Sequence, residues 1–277
     1  MIKRIYIEIT NICNLRCAFC VPGNRKREIM TADRFRIAAE QAKKITDYIY
    51  LHVQGEPMSH PEFEKIMQIC DELQMKVQLV TNGSFLAKYP DLTSHTSPRK
   101  VSISLQSLPF QNTDIETYMD NVISLCMKAS EQGHPYVELR FWRMDQISHP
   151  SEKRALERIR ETFGWEKTGR RNSILLRPYV YLSYDNSFEW PESEEYLNVR
   201  VRGYCHGAID QIAVLSCGDV TPCCLDCSGN ICFGNLFEEQ LSDILQKERY
   251  VTMVENLKSR VIVEPFCAAC DFRKRFK

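Results

Sequence analysis

From residue 3 to about residue 184, short β-rich runs alternate with amphipathic helical ones, and no other feature restricts the possible folds so tightly. Such an alternation specifies parallel strands joined by crossover helices. The strand-like runs cover residues 5–10, 48–53, 76–81, 100–106, 136–142 and 174–184. Between them Phe35, Ala38, Ala39, Ala42 and Ile45 recur at helical spacing, as do Phe63, Ile66, Met67, Cys70 and Leu73, and then Val122, Leu125, Cys126 and Ala129. These stripes pack on the sheet, and Cys70 and Cys126 within them read as small core hydrophobes. Six βα units are too few to close an eight-stranded barrel, so right-handed crossovers curl the sheet into an open partial (β/α)6 barrel, TIM-like in its winding. Ligands of parallel βα folds sit at the C-terminal ends of the strands.

At that end of the first strand stands Cys13-Asn14-Leu15-Arg16-Cys17-Ala18-Phe19-Cys20. Three thiolates on one loop can hold an iron-sulfur cube with one iron left open to substrate or cofactor. Structural zinc wants a closed tetrahedral set, and no fourth Cys or His follows before His52. A disulfide needs an oxidising compartment, whereas Met1-Ile2-Lys3 leads straight into a strand without a signal-peptide core. With no apolar stretch long enough for a membrane span, the chain is expected in the cytoplasm with no membrane partner. Its 44% hydrophobic content is ample for a buried core, and thirteen cysteines in a reducing compartment read as metal ligands. Lysine plus arginine and aspartate plus glutamate both number 36, so no overall field recommends a nucleic acid or an anionic membrane. The basic runs 167–171 and 273–277 are expected to be solvated surface.

With this spacing, an aromatic before the third cysteine and a strand before the first, the segment resembles the cluster loop of the radical S-adenosylmethionine (SAM) enzymes. The resemblance implies a 4Fe-4S cluster on Cys13, Cys17 and Cys20 that binds SAM, with Phe19 beside it. Strand two ends in Gln54-Gly55-Glu56-Pro57, on its residues alone a turn with a carboxylate next to a flexible glycine. In the family a Gly-Gly-Glu-Pro segment there binds the methionine amino group of SAM, so Gly55, Glu56 and Pro57 become candidates, with Gln54 in place of the first glycine. Strand three ends in Thr81-Asn82-Gly83, a turn that the family also commonly carries, which adds Asn82. Alternation sets Ser102, Ser104 and Gln106 on one face of strand four, and Glu138 and Arg140 on one face of strand five. Serine and arginine on these strands hold the ribose and carboxylate of SAM in relatives, which nominates Ser104 and Arg140. A self-satisfied Glu138–Arg140 surface pair is the competing reading.

The alternation stops at residues 185–191, and Phe188-Glu189-Trp190-Pro191 is expected to pack across the barrel mouth, where Glu189 or Trp190 could touch substrate. Beyond it, Cys205 and Cys223 flank a hairpin at residues 211–223 that turns at Gly218, and a helix over about 241–257 leads back to Cys267-Ala268-Ala269-Cys270. Four cysteines are thereby gathered, enough for a complete iron-sulfur or zinc site. With Cys-x12-Gly-x4-Cys, Pro222-Cys223-Cys224-Leu225-Asp226, Gly234-Asn235-Leu236 and a closing Cys-x2-Cys, the tail resembles the twitch domain, the one-cluster version of the SPASM extension. The expected organisation is a barrel over residues 1–190 and a small α+β twitch domain, a β-hairpin plus helix, over 191–277. No cysteine follows Cys270, so one auxiliary 4Fe-4S cluster on Cys205, Cys223, Cys267 and Cys270 is expected.

The resemblance implies reductive cleavage of SAM to a 5'-deoxyadenosyl radical, fed by a flavodoxin or ferredoxin-type electron donor. A fully protein-ligated auxiliary cluster suits electron uptake, hence a dehydrogenase-like oxidoreductase acting on a small hydroxylated compound such as a sugar or aminocyclitol. Two other readings stay open. One is a peptide substrate that is crosslinked or epimerised, with Cys227 or Cys232 as hydrogen donor in the epimerase version; the other is a non-enzymatic electron carrier or zinc module.

Overall fold

A computed structural model describes residues 2–20, 24–142, 147–165, 172–185, 191 and 201–276. Five strands follow the expected order: β1 (Arg4–Ile7), β2 (Tyr48–Tyr50), β3 (Lys76–Thr81), β4 (Pro98–Ser104) and β5 (Tyr136–Trp142). The first three crossovers are α1 (Ala32–Lys43), α2 (Phe63–Glu72) and α3 (Ile115–Gln132). Thr31 starts α1 by accepting from the Arg34 amide, and Asp114 starts α3 by accepting from that of Thr117, each satisfying one of the donors that a helix start leaves open. Their apolar stripes, Cys70 and Cys126 included, are buried against the sheet. On β5 Val137, Leu139 and Phe141 face this packing, so Glu138, Arg140 and Trp142 point to the other face. The barrel lumen is therefore walled by polar residues.

The run at 174–184 is not one strand but a hairpin, β6 (Ser173–Arg177) and β7 (Val180–Asp185). Pro178 lies in its middle, where a missing N–H forbids continuous pairing, and Tyr179 takes a φ of 67° to turn the chain. Only β7 pairs parallel with β5. A helix that no apolar stripe had announced, α4 (Pro150–Phe163), precedes this hairpin; Ala155 and Ile159 are its only buried residues, too narrow a face to read as periodicity. Gln106 leaves the strand for a tight turn over Leu105–Phe110.

The tail hairpin is β8 (Gln211–Val214) and β9 (Val220–Thr221). It joins the barrel sheet: β8 runs parallel to β1, with Arg4 opposite Gln211 and Ile7 opposite Val214. One nine-stranded sheet results, ordered β6-β7-β5-β4-β3-β2-β1-β8-β9, open at both edges and only part of a barrel. The single helix expected over 241–257 is two, α5 (Leu241–Ile244) and α6 (Glu248–Lys258). In a straight helix Ile244 and Met253, nine residues apart, would face opposite sides; the extended Lys247 between the two pieces lets both be buried. A short α7 (Pro265–Ala269) closes the tail.

Arg273, expected on solvated surface, is 7% exposed and donates to the Ala268 carbonyl near the end of α7, which explains its burial. The basic run 167–171, Glu189, Trp190 and the border near residue 190 lie outside the described residues. Among the described residues no helix is long and apolar enough to cross a membrane.

Candidate active site between two cysteine sets

The first cysteine loop is closed at its base by a bridge between Thr10 and Ile29, reinforced by paired bonds between Asn11 and Glu28. Gly55 presses on it from the end of β2. A Cβ on Gly55 would lie 2.3 Å from the Thr10 carbonyl oxygen, and its φ is +76°, so only glycine lets the Glu56 amide reach the Ile12 carbonyl at 3.0 Å. Asn82 steadies the loop from the end of β3, donating to Asn14 at 2.9 Å and contacting Cys13 Sγ at 3.8 Å. Burial raises the thiol pKa of Cys17 to about 12, and the neighbouring Cys13 and Cys20 oppose its ionisation further. Three thiols that repel one another's charge are three thiols close together.

Glu56 is 2% exposed and engaged on both oxygens. Oε1 accepts from Met58 N and Thr81 Oγ1 at 3.0 and 2.7 Å, and Oε2 accepts from Asn82 N at 2.7 Å. The Met58 bond caps a turn that Pro57 starts. Desolvation lifts the Glu56 pKa to about 7 despite these three donors.

Further into the lumen, Arg140 donates to Ser104 at 3.1 Å, and Glu138 takes Ser102 at 2.6 Å and Lys100 at 2.9 Å. The Glu138–Arg140 pair expected as an alternative is thus replaced by partners on β4, because Ser102 stands opposite Glu138 and Ser104 opposite Arg140 in the register. Arg140 Nε, Gln106 Oε1 and His52 Nδ1 are buried without a hydrogen-bond partner, and all three residues line one cavity of about 560 Å³. Burial, then the Arg140 charge, lowers the His52 pKa to about 3, so the ring is neutral. Phe19 lies edge-on to Trp142, with centroids 4.7 Å apart, at the same cavity.

The cavity reaches the second cysteine set. Cys205, Cys223, Cys267 and Cys270 all line it, together with Cys13, Cys17 and Cys20. Cys223 is raised by burial and then by Cys224, Cys205 and Cys267, while Cys267 is raised by burial and then by Cys205 and Cys270, so these thiols too are clustered. The buried Asp226 shapes the intervening loop by accepting from Asn230 N and Ile231 N, both at 2.8 Å. Among the remaining tail cysteines of the described residues, Cys224 lines the cavity, whereas Cys217, Cys227 and Cys232 do not. Tyr6, stacked on Tyr50 at 4.4 Å, contributes beside Cys224.

A buried latch joins the two parts. Glu8, 0% exposed, accepts from Arg25 Nη2, from the Ser216 amide and hydroxyl at 3.0 Å each, and from Gln54 N at 3.2 Å. Arg25 also donates to the Cys227 carbonyl at 2.6 Å. The alternation of Tyr48, Tyr50 and His52 could have announced His52 as a lumen residue; nothing in the sequence announced Glu8, Arg25 and Ser216 as partners.

Residues 7–137 match the model of the radical SAM superfamily, and residues 205–271 match SPASM, an iron-sulfur cluster-binding domain. GTP 3',8-cyclase of Aquifex aeolicus is 25% identical over 144 residues, 48% of this chain and 45% of that protein. A probable GTP 3',8-cyclase of Methanococcus maripaludis is 28% identical over 151 residues, 52% of this chain and 51% of that protein. The chain spans about half the length of these curated relatives. Among solved structures, BtrN in complex with AdoMet and 2-DOIA superposes with a TM-score of 0.60 at 15% identity, over 94% of this chain and 88% of that one. SuiB of Streptococcus suis bound to precursor peptide SuiA gives 0.58 at 16% identity, over 99% and 70%. At such identities the likeness establishes the fold.

Proposed function

We propose that this chain, whose residues 7–137 match the radical SAM superfamily and whose residues 205–271 match a SPASM iron-sulfur domain, is a radical SAM enzyme that oxidises a small hydroxylated compound, a sugar or aminocyclitol, held between its two cysteine sets. The family's cofactors are a SAM-binding 4Fe-4S cluster, auxiliary iron-sulfur clustering in the tail, and SAM. The residues present fit them: three thiols on one loop, four more in the tail, and a buried carboxylate at the same cavity. A cube takes each thiolate at a separate corner, so three thiols leave one corner open and four fill it. When bound, the SAM-binding cluster and SAM supply a hydrogen-abstracting carbon radical, and the auxiliary cluster a one-electron sink.

The observation that carries the substrate reading is the set of partnerless buried atoms in the lumen. His52 Nδ1 and the Gln106 carbonyl, neither of them on a residue assigned to SAM, offer hydrogen bonds to the polar groups of such a compound. Cys13, Cys17 and Cys20 would hold the first cluster, and Cys205, Cys223, Cys267 and Cys270 the second. Glu56 would receive the SAM amino group on its remaining lone pair while Asn82 keeps the loop in place. Ser104 and Arg140 would hold the SAM ribose and carboxylate, with Phe19 against Trp142 shedding water. BtrN, named with 2-DOIA, supports a small-molecule substrate, and its own chain is 88% covered. The peptide reading rests on SuiB and on anSMEcpe, solved with SuiA and with the Cp18Cys peptide.

The test is label transfer. Anaerobically reconstituted enzyme with SAM and dithionite should form 5'-deoxyadenosine, and carbon-deuterated sugars or cyclitols should deliver deuterium into it. Deuterium arriving instead from labelled peptides would sink the small-molecule reading, and 5'-deoxyadenosine formation undiminished in Cys17→Ala would remove the first cluster from this loop.

A further inference from the structure

The lumen continues below the groups assigned to SAM, and its lower end carries a charge without a counter-charge. In the register Tyr6 stands opposite Tyr50, Tyr50 opposite Gln78 and Gln78 opposite Lys100, so these side chains share one level, with Arg4 and Gln211 paired just beneath. All of them line the same cavity as His52 and Arg140. Ser104, with Arg140 opposite it, lies four residues further along β4 than Lys100, about 13 Å at the rise of a strand. At the lower level Glu138 is already engaged, accepting from Ser102 at 2.6 Å and pairing with Lys100 at 2.9 Å. Arg4 donates Nε to the Gln211 side chain at 3.0 Å and forms no ion pair among the described residues. Asp210, whose carbonyl takes the Arg4 amide, gives its carboxylate to Lys3 and His206 instead. The guanidinium faces the Tyr6 and Tyr50 phenols, which burial keeps protonated although the Arg4 charge favours their ionisation. The Tyr50 ring lies 5.8 Å from that of His52, so a compound of sugar size reaches from Arg4 past Tyr50 to His52.

We propose that Arg4 sets substrate specificity by taking the anionic substituent, a carboxylate or a phosphate, of a hydroxylated compound that lies along Tyr50 and His52. The proposal rests on the reading that the lumen holds such a compound, and it narrows that reading. A half-buried guanidinium without a counter-charge favours an anion, and its planar fork matches carboxylate and phosphate oxygens in pairs. An acidic sugar therefore suits the lower lumen. The ammonium of an aminocyclitol would meet the Arg4 charge there, with Glu138 already committed to Lys100 and Ser102.

Equilibrium dialysis of radiolabelled glucuronate, glucose 6-phosphate, glucose and glucosamine against the reconstituted, SAM-saturated enzyme decides the matter. The wild type should bind glucuronate or glucose 6-phosphate roughly tenfold or more tightly than glucose, and glucosamine no better than glucose. Which of the two anions leads separates carboxylate from phosphate. Arg4→Gln should lose the preference at unchanged iron content, whereas Arg4→Lys, which keeps the charge but not the fork, should retain part of it. A wild type without an anion preference overturns the proposal, as does a preference undiminished in Arg4→Gln or tightest binding of glucosamine. The two readings fail separately. Carbon-deuterated glucose or glucosamine that delivers deuterium into 5'-deoxyadenosine, with no anion preference, removes the role of Arg4 and leaves the oxidation of a small compound standing. An Arg4-dependent preference with deuterium arriving only from labelled peptides keeps the anion site and removes that oxidation.

Discussion

A carboxylate that already accepts from Met58 N, Thr81 Oγ1 and Asn82 N has about one of its four lone-pair sites left, so substituting Glu56 perturbs fold and binding together. Glu56→Gln keeps one oxygen but turns an NH2 towards the Asn82 amide, a buried mismatch worth about 1–3 kcal/mol of stability; Glu56→Ala, which strands three donors, should cost more. The pH dependence has a definite sign. A carboxyl raised to about 7 in the folded state contributes stability that is complete below its unfolded value of 4.5 and lost as pH climbs to about 7. The same ionisation prepares it for the SAM amino group, so affinity for SAM should rise over that window and level off above it. Calorimetry on wild type and Glu56→Gln at pH 6 and 8 checks this: the wild type should gain affinity and the variant should not share the gain. The seven cysteine candidates were legible because their spacing and segment ends draw attention. Glu56 was legible only as a turn residue with a family precedent, since its bonds to Thr81 and Asn82 depend on two strands lying side by side.

Strand ends, not strand interiors, set the geometry of this site, and Gly55 measures how closely two of them meet. Gly55→Ala drives a Cβ to 2.3 Å from the Thr10 carbonyl at a left-handed φ, whereas Gly133→Ala, at φ +68° on the end of α3, meets nothing nearer than 3.6 Å. Gly133→Ala should cost about 1–2 kcal/mol for its backbone alone. Gly55→Ala should cost clearly more and lower the iron bound by the first loop while sparing the tail. Equal melting temperatures and iron contents for the two variants would contradict this account. At this scale the sequence revealed β1 to β5 through their alternation, and the first three helices through stripes wide enough to count. It did not reveal α4, whose buried face is two residues; Pro178 is the residue at which the last long run has to break.

Over the whole molecule, the tail is bound to the barrel by backbone pairing and by Glu8, whose partners come from the cysteine loop, the end of β2 and the tail. Parallel pairing of residues 4–7 with 211–214 has no local sequence signature, which is why the hairpin read as belonging to a separate domain. Unfolding in urea, followed by far-ultraviolet circular dichroism and by intrinsic tryptophan fluorescence, should give one coincident transition; two separated ones would mean that the tail folds alone. The same pairing has a consequence for biosynthesis. Arg4 waits for Gln211, 207 residues later, and at roughly 5–20 residues per second a ribosome needs about 10–40 s to deliver it. Throughout that interval β1 has an open edge and Glu8 lacks Ser216, so the latch between loop and tail can close only at the end of synthesis.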